Sequence, residues 1–112
     1  MANAETPRQI EHTDSAALHK RRAAGEQVQL LDVREPLEHA GGVIQGAILM
    51  PMGSVQAKWT ELDAQQPVYV ICRLGGRSAQ VAAFLTRQGV RAINVDDGMD
   101  GWERYGFPTE VR

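Results

Sequence analysis

The sequence predicts an α/β domain in which a central parallel β-sheet carries helices on both faces. Two observations predict this class. Short segments rich in aliphatic and β-branched residues alternate with helix-like segments along the whole chain, which is the order typical of β-α-β units. The short segments are also apolar at consecutive positions, as in VQLLDV and VYVIC, and this continuity is typical of strands buried on both faces of a parallel sheet.

The beginning of the chain predicts a strand followed by a helix. A short strand is expected near Ile10, and either Thr13 or Asp14 can cap the helix that follows. Gly25 is the expected stop of this helix. Three consecutive bases, residues 20–22, lie near its end, where positive charge is favoured and solvated, so they are given no function.

The middle of the chain predicts a second strand, a short helix and an amphipathic segment. Residues 28–33 form an apolar run, and Pro36 suits the first turn of the short helix after it. Residues 46–53 form another apolar stretch, which is too short for a helix. Ser54 then caps a segment whose apolar side chains recur at spacings of four and three and are expected in the core: Val55, Trp59 and Leu62.

The last part of the chain predicts strand, helix and strand. Pro67 opens the continuously apolar residues 68–72, which are expected to form the most buried strand. Ser78 is the expected cap of the next helix, and Gly89 is the expected end. The short apolar run 92–95 predicts one more strand.

Length and composition bound the class of protein. A chain of 112 residues with 43% apolar residues fits one domain over residues 1–112, with residues 1–8 expected to be a loose segment. The formal net charge of −2 gives no global positive field for nucleic acids or anionic membranes, and no apolar run approaches the roughly 18 residues of a membrane span. No secretory signal is visible, and a single cysteine favours a reducing compartment, so a cytoplasmic location is expected.

The end of the most buried strand carries the residues with chemical potential. Ligands of parallel α/β sheets bind at the carboxyl ends of strands, and here that position is Cys72. A cysteine that faces the N-terminus of the following helix meets free backbone N–H groups and a favourable helix dipole, both of which stabilise the thiolate. Cys72 is therefore the expected nucleophile, and as the only cysteine it excludes an internal disulfide and a multi-cysteine metal site.

The six residues Cys72–Arg77 predict an anion-binding loop. Gly75 and Gly76 permit positive φ angles, which would let backbone amides turn inward around the sulfur. Arg73 and Arg77 carry permanent charges whose planar forks suit a sulfonate or a phosphate. A lone cysteine after a strand is ordinarily a small buried hydrophobic residue, but such a residue needs neither the glycines nor the arginines. An empty phosphate-binding nest is the alternative left open.

Four motifs, taken in order, carry a resemblance to a known family: LLDVREPLEH at 30–39, GVIQGAILMP at 42–51, CRLGGRS at 72–78 and DDGMDGW at 96–102. Together they resemble the rhodanese family of sulfurtransferases, in particular its small single-domain members, over nearly all of the chain from Ile10 to Pro108. Three positions outside the 72–78 motif depart from the usual family residues: Val43 for histidine, Gln45 for proline and Asp97 for glycine. The resemblance implies a rhodanese-like three-layer domain.

The resemblance also implies an activity. Cys72 would attack the outer sulfur of an anionic donor, thiosulfate or a persulfide, and hold it as a Cys72 persulfide. An acceptor would then remove the sulfur; cyanide, a thiol, thioredoxin or a sulfur-carrier protein are all open. No cofactor is implied. The donor would be held by Arg73 and Arg77, and the sulfur would be cradled by the loop amides of Leu74, Gly75, Gly76, Arg77 and Ser78.

Several other residues invite a functional interpretation, and a structural one is preferred for each. Asp32 and Arg34 follow a predicted strand near the loop, where an ion pair that holds conformation is favoured over a catalytic role. Trp102 is expected to pack in the core rather than to line the mouth of the pocket. The histidines show no spacing typical of metal ligands, so no metal site is predicted: His12, His19 and His39.

Two other functions are weighed against sulfur transfer. A cysteine phosphatase or arsenate reductase would use Cys-x5-Arg, whereas only four residues separate Cys72 from Arg77. This smaller ring suits a single sulfur atom better than a tetrahedral phosphate. A non-catalytic interaction module of the same fold would have no need of Cys72 in an intact loop.

Overall fold

The computed structural model describes residues 10–112 as one five-stranded sheet with helices around it; the segment 1–8, expected to be loose, lies outside the described residues. The strand order is β1-β5-β4-β2-β3, and every pair of neighbours is parallel. The predicted α/β class with a parallel sheet is confirmed. The strands are β1 Glu11–Thr13, β2 Gln29–Asp32, β3 Ile48–Leu49, β4 Val68–Ile71 and β5 Ala92–Val95.

Five α-helices connect or follow these strands: α1 Ser15–Ala23, α2 Pro36–Ala40, α3 Val55–Lys58, α4 Gly76–Arg87 and α5 Gly98–Arg104. Asp14, not Thr13, caps α1, since its carboxylate accepts a hydrogen bond from the Ala17 amide at 2.9 Å. Pro36 occupies the first turn of α2, as predicted. Short 3₁₀ turns flank α3, and Trp59 there is partly buried against the core.

Two separate apolar clusters cover the two faces of the sheet. In the central strand β4, Val68 and Val70 face the cluster that includes α4, and Tyr69 and Ile71 face the cluster that includes α1 and α5. Side chains alternate between the faces along a strand. Because both faces are covered, all four β4 residues are buried, which explains why this segment is continuously apolar.

The start of helix α4 corrects the prediction that Ser78 caps it. The cap is Gly75, whose φ of 93° is in the left-handed region, and the helix begins at Gly76. The left-handed turn at Gly75 reverses the chain early and makes Ser78 the third helical residue, with its side chain buried. Gly76, contrary to expectation, has no positive φ. Only Cys72–Gly75 of the predicted six-residue loop is therefore outside the helix.

The carboxyl ends of the parallel strands all lie along one edge of the sheet. Because all strands run in the same direction, the residues that follow β2, β4 and β5 meet at the carboxyl edge of the sheet. Within residues 10–112, no helix is long and apolar enough to cross a bilayer.

Candidate active site

Cys72 lies directly after β4, at the carboxyl edge and near the middle of the sheet. Helix α5 fixes the backbone at this position from the side of β5. The amide of Met99 donates to the Cys72 carbonyl at 2.8 Å, and the amide of Asp100 donates to the Arg73 carbonyl at 3.0 Å. The N-terminus of α5 thus uses two of its free amides to hold the loop.

Two glycines allow this close approach of backbones. Gly98 has a φ of 57°, and a Cβ there would overlap the Cys72 and Arg73 carbonyls. Gly75 has a φ of 93°, and a Cβ there would overlap the Asp96 carbonyl. A side chain at either position would therefore be both conformationally strained and sterically excluded.

The sulfur of Cys72 is surrounded by hydrogen-bond donors. The Gly75 amide lies 3.1 Å from Sγ and the Ser78 amide 3.3 Å from it, and both donate to the sulfur. The Ser78 hydroxyl oxygen lies 3.2 Å from Sγ and can donate to a thiolate. Cys72 itself is 1% exposed. The pocket around the sulfur is therefore built for negative charge, because a buried anion needs such donors.

These contacts act against the effect of burial on the acidity of Cys72. Burial favours the neutral thiol and raises the pKa of Cys72. The Ser78 hydroxyl and the backbone amides of Ser78, Gly75 and Leu74 favour the thiolate, and the net result is a pKa below the ordinary value for cysteine. The expectation of a stabilised thiolate agrees with this direction.

The two arginines of the loop are both engaged by carboxylates. Arg77, in the first turn of α4, donates to both oxygens of Glu38 in α2, at 2.7 Å and 2.9 Å. Arg73 donates to Glu103 in α5 at 2.8 Å. The hydrogen bonds from Arg77 lower the pKa of Glu38 to about 2, so this carboxylate stays charged at neutral pH.

The other predicted loop residues differ in exposure. Leu74 is 69% exposed at the tip of the loop, so only its backbone amide belongs to the cradle around the sulfur. Gly76 faces open space, with no heavy atom within 4 Å of the position of a Cβ. Gly75 and Ser78 are buried next to the sulfur. The structure thus brings Cys72, Gly75 and Ser78 into direct contact, while the arginine side chains point to their carboxylate partners.

The residues expected to be structural lie close by. Arg34 donates to Asp32 at 2.8 Å, with both side chains 1% exposed, and also donates to the Gly42 carbonyl at 2.9 Å. His39 Nε2 lies 3.2 Å from the same Asp32 carboxylate. The predicted ion pair is confirmed. It is a satisfied, buried pair that holds β2 to the segment after α2.

The sequence profile of the Rhodanese-like domain family matches residues 15–105, and this range includes the whole loop after β4 and the helices α4 and α5. The chain belongs to the rhodanese-like family.

Relatives with known names agree with this membership. A sulfurtransferase of Allochromatium vinosum is 37% identical over 100 residues, which cover 88% of this chain and 94% of the relative. The putative sulfurtransferase YtwF of Bacillus subtilis is 39% identical over 95 residues, with 85% and 92% of the two chains covered. The crystal structure of a rhodanese-like domain protein from Staphylococcus aureus superimposes with a TM-score of 0.85 and 30% identity, covering 92% of this chain and 99% of the other. These relatives support a sulfurtransferase role.

In this rhodanese-like domain, Trp102 packs on the face of the sheet opposite to the cluster that contains Cys72. It is 1% exposed, belongs to the cluster of α1 and α5, and donates its indole N–H to the Pro108 carbonyl at 2.9 Å. Cys72 belongs to the other cluster. The prediction that Trp102 packs in the core is confirmed, and the alternative that it lines the mouth of the pocket is wrong.

Asn94 is a residue of this rhodanese-like domain that sequence reasoning missed. It is 3% exposed in β5, and its side-chain amide donates to the Gly75 carbonyl at 3.2 Å and to Asp96 at 2.7 Å. An isolated polar residue in the apolar run AINV was the available signal, because buried polar groups are normally hydrogen-bonded. Asn94 thus holds Gly75, the loop residue whose amide donates to the sulfur.

Among residues 10–112, no group of three or more His, Cys, Asp and Glu side chains is arranged to hold a metal ion.

Proposed function

We propose that this rhodanese-like domain transfers a sulfane sulfur from a small donor to a thiophilic acceptor through a persulfide on Cys72. One observation carries the proposal. Three donors, namely the amides of Gly75 and Ser78 and the Ser78 hydroxyl, converge on a single buried sulfur atom. They stabilise an attacking thiolate, and we expect donors of this loop also to stabilise the charge of a persulfide.

The transfer balances without an external oxidant or reductant. The Cys72 thiolate attacks the outer sulfur of the donor, and a new S–S bond forms at Sγ. The S–S bond of the donor breaks, and its electron pair leaves with the donor's inner sulfur, as sulfite from thiosulfate or as a thiolate from a persulfide. Both leaving groups are stable anions, so no general acid is required.

The loop supplies the remaining roles in this proposal. The amides from Leu74 to Ser78, which include those of Gly76 and Arg77, surround the outer sulfur, and Arg73 and Arg77 are the candidates for contact with an anionic donor. Both arginines already bind carboxylates, so a donor would have to compete for them. A thiol, cyanide, thioredoxin or a sulfur-carrier protein would act as the acceptor. The transfer uses no cofactor and would take place in the cytoplasm.

The phosphatase alternative has less support. Four residues separate Cys72 from Arg77, and the Arg77 fork is turned to Glu38. A phosphate in the loop would need this fork and more inward amides. The interaction-module alternative gives no reason for the three donors around Sγ.

The test is the intact mass of the protein after incubation with thiosulfate. We expect the addition of one sulfur atom to the parent protein, removal of that sulfur by dithiothreitol, and no addition to Cys72→Ser. Subsequent transfer to cyanide should follow the same pattern. An unmodified parent protein, or a Cys72→Ser variant that transfers sulfur at more than a trace of the parental rate, would refute the persulfide mechanism.

A further inference from the structure

Both arginines that follow Cys72 in the sequence are paired with carboxylates, so they do not present a free positive surface. Arg77 faces Glu38, with side chains 31% and 29% exposed, and Arg73 faces Glu103. An unpaired arginine would attract an anion, whereas the bidentate pair of Arg77 with Glu38 carries no net charge and already uses two of the five N–H donors of the guanidinium. The Arg77–Glu38 pair therefore offers little net attraction to a doubly charged donor.

Glu38 is held in place independently of Arg77. Its Oε1 accepts a hydrogen bond from the Glu35 amide at 3.0 Å, in addition to the 2.7 Å bond from Arg77. The carboxylate is thus fixed at the start of α2, and it fixes the guanidinium in turn. Glu103, by contrast, is about half-exposed and accepts a single bond from Arg73. Of the two carboxylates, Glu38 has the stronger hold on its arginine.

We propose that Glu38 determines the charge preference of the Cys72 site by neutralising Arg77, so that the favoured sulfur donor is an organic persulfide of low charge rather than dianionic thiosulfate. This inference rests on the proposed function. In the persulfide reaction, the Cys72 thiolate bonds to the terminal sulfur of R–S–SH, the donor S–S bond breaks, and R–S⁻ leaves with the electron pair. The transferred sulfur keeps its proton, and no redox partner is consumed.

The charge preference can be measured without sulfur transfer, by alkylation of Cys72. Iodoacetamide is neutral, and iodoacetate is an anion of similar shape, so the ratio of their rate constants reports the electrostatic preference of the site. Loss of the Glu38 charge, which leaves Arg77 unpaired, should change this ratio about three- to ten-fold at low salt. A change in thiolate fraction or in accessibility would affect both reagents alike and leave the ratio unchanged.

We expect Glu38→Gln to raise the iodoacetate-to-iodoacetamide ratio, because Arg77 becomes free to attract the anion. Arg77→Gln should lower the ratio, and Glu38→Asp should keep it near the parental value. Glu38→Ala serves as a second variant with the same expected direction. The matched control is Glu11→Gln, which removes the same charge from the exposed bidentate pair with Arg91 at the opposite end of β5 and should leave the ratio unchanged.

The donor test uses thiosulfate and cysteine persulfide with the same variants. Glu38→Gln should raise the rate of Cys72 persulfide formation from thiosulfate relative to that from cysteine persulfide by about three-fold or more. An unchanged alkylation ratio in folded Glu38→Gln and Glu38→Ala would overturn the assignment of Glu38. A changed ratio in a protein that forms no persulfide from either donor would overturn the proposed sulfur transfer and the donor preference, while the charge effect of Glu38 would stand.

Discussion

Cys72 owes its acidity mainly to one hydroxyl and several backbone amides. Burial raises the pKa of Cys72. The Ser78 hydroxyl and the amides of Ser78, Gly75 and Leu74 lower this pKa, and their combined effect is larger than that of burial. Both loop arginines are paired with carboxylates, Arg77 with Glu38 and Arg73 with Glu103, and the Arg77 charge also attracts a Cys72 thiolate. The Ser78 hydroxyl is thus the largest single stabiliser of the thiolate, and the backbone amides at the N-terminus of α4 add to it.

A first prediction concerns the Ser78 hydroxyl. The thiolate fraction rises with pH, so the alkylation rate of Cys72 should rise with a midpoint below the unperturbed value of about 8.5. Ser78→Ala removes one donor to the anion, moves the midpoint to higher pH, and slows alkylation at pH 7 by about three- to ten-fold. The measurement is the iodoacetamide rate against pH. Thr86→Ala, which removes a hydroxyl at the opposite end of α4, is the control and should match the parent.

We expect Ser78→Ala to alkylate more slowly than the parent only at pH values below the midpoint of Cys72 ionisation. At high pH the Cys72 thiol is fully ionised in both proteins, and the two alkylation rates should converge. A parallel loss at all pH values would mean that Ser78 shapes access to the sulfur and does not stabilise the thiolate.

A second prediction separates the two glycines of the loop. Gly75→Ala places a Cβ at a left-handed position, which costs about 1–2 kcal/mol, and also against the Asp96 carbonyl. Gly76→Ala meets no heavy atom within 4 Å and has no positive φ, so it should change stability by less than about 1 kcal/mol. Urea denaturation of both variants measures the difference. Equal losses would contradict the assignment of Gly75 as the turning point.

At the scale of secondary structure elements, the Asp32–Arg34 pair joins β2 to the segment that leads to β3. Asp32 belongs to β2, and Arg34 reaches forward to the Gly42 carbonyl. Both side chains are fully buried. Removal of one partner would leave the other buried and unpaired, which is among the most destabilising changes a single substitution makes.

A third prediction follows from this burial. Asp32→Ala should lower the free energy of unfolding by about 3–5 kcal/mol, because the Arg34 guanidinium loses its counter-ion while it stays buried. Glu11→Ala removes a carboxylate from the exposed pair with Arg91 and should lower it by at most about 1 kcal/mol. Urea denaturation at pH 7 compares the two. A loss below about 1 kcal/mol for Asp32→Ala would show that the pair is replaceable.

On the scale of the whole molecule, the sheet separates two apolar cores that share its strands. Leu85 of α4 lies in one core and Trp102 of α5 in the other, and both are buried. Neighbouring residues of β4 contribute to opposite cores, so neither core can lose its packing without exposing the same strand. The described part of the chain is therefore expected to unfold as a unit.

A fourth prediction tests this coupling. Leu85→Ala should lower the free energy of unfolding by about 2–5 kcal/mol and Trp102→Ala by about 3–5 kcal/mol, through lost burial and the cavities left behind. Each variant should still unfold in one transition. Circular dichroism and the fluorescence of Trp59, which lies against the Leu85 core, should give the same midpoint for Trp102→Ala. Two separated midpoints would show that the cores unfold independently.

The sequence by itself determined the features that depend on neighbouring residues. The continuous apolar run of β4 predicted a buried strand because its side chains alternate between two covered faces. Pro36 marked the start of α2, and the pair Thr13 and Asp14 marked the start of α1, because capping is a local interaction. Asp32 and Arg34 are two residues apart, so their pairing needed only a turn after β2. The position of Cys72 at the end of β4 then followed from the strand itself.

Only the tertiary structure decided which groups surround that cysteine. Gly75 and Gly76 can each adopt a positive φ, and packing against the Asp96 carbonyl selects Gly75 as the turning point, which in turn places Ser78 inside the helix and against the sulfur. Contacts across 39 residues, from Arg77 to Glu38, and across 19, from Asn94 to Gly75, depend on the order of the strands. Such partners leave no local pattern in a sequence, because the entropy of bringing them together is offset by the packing of the whole sheet and not by the pair itself.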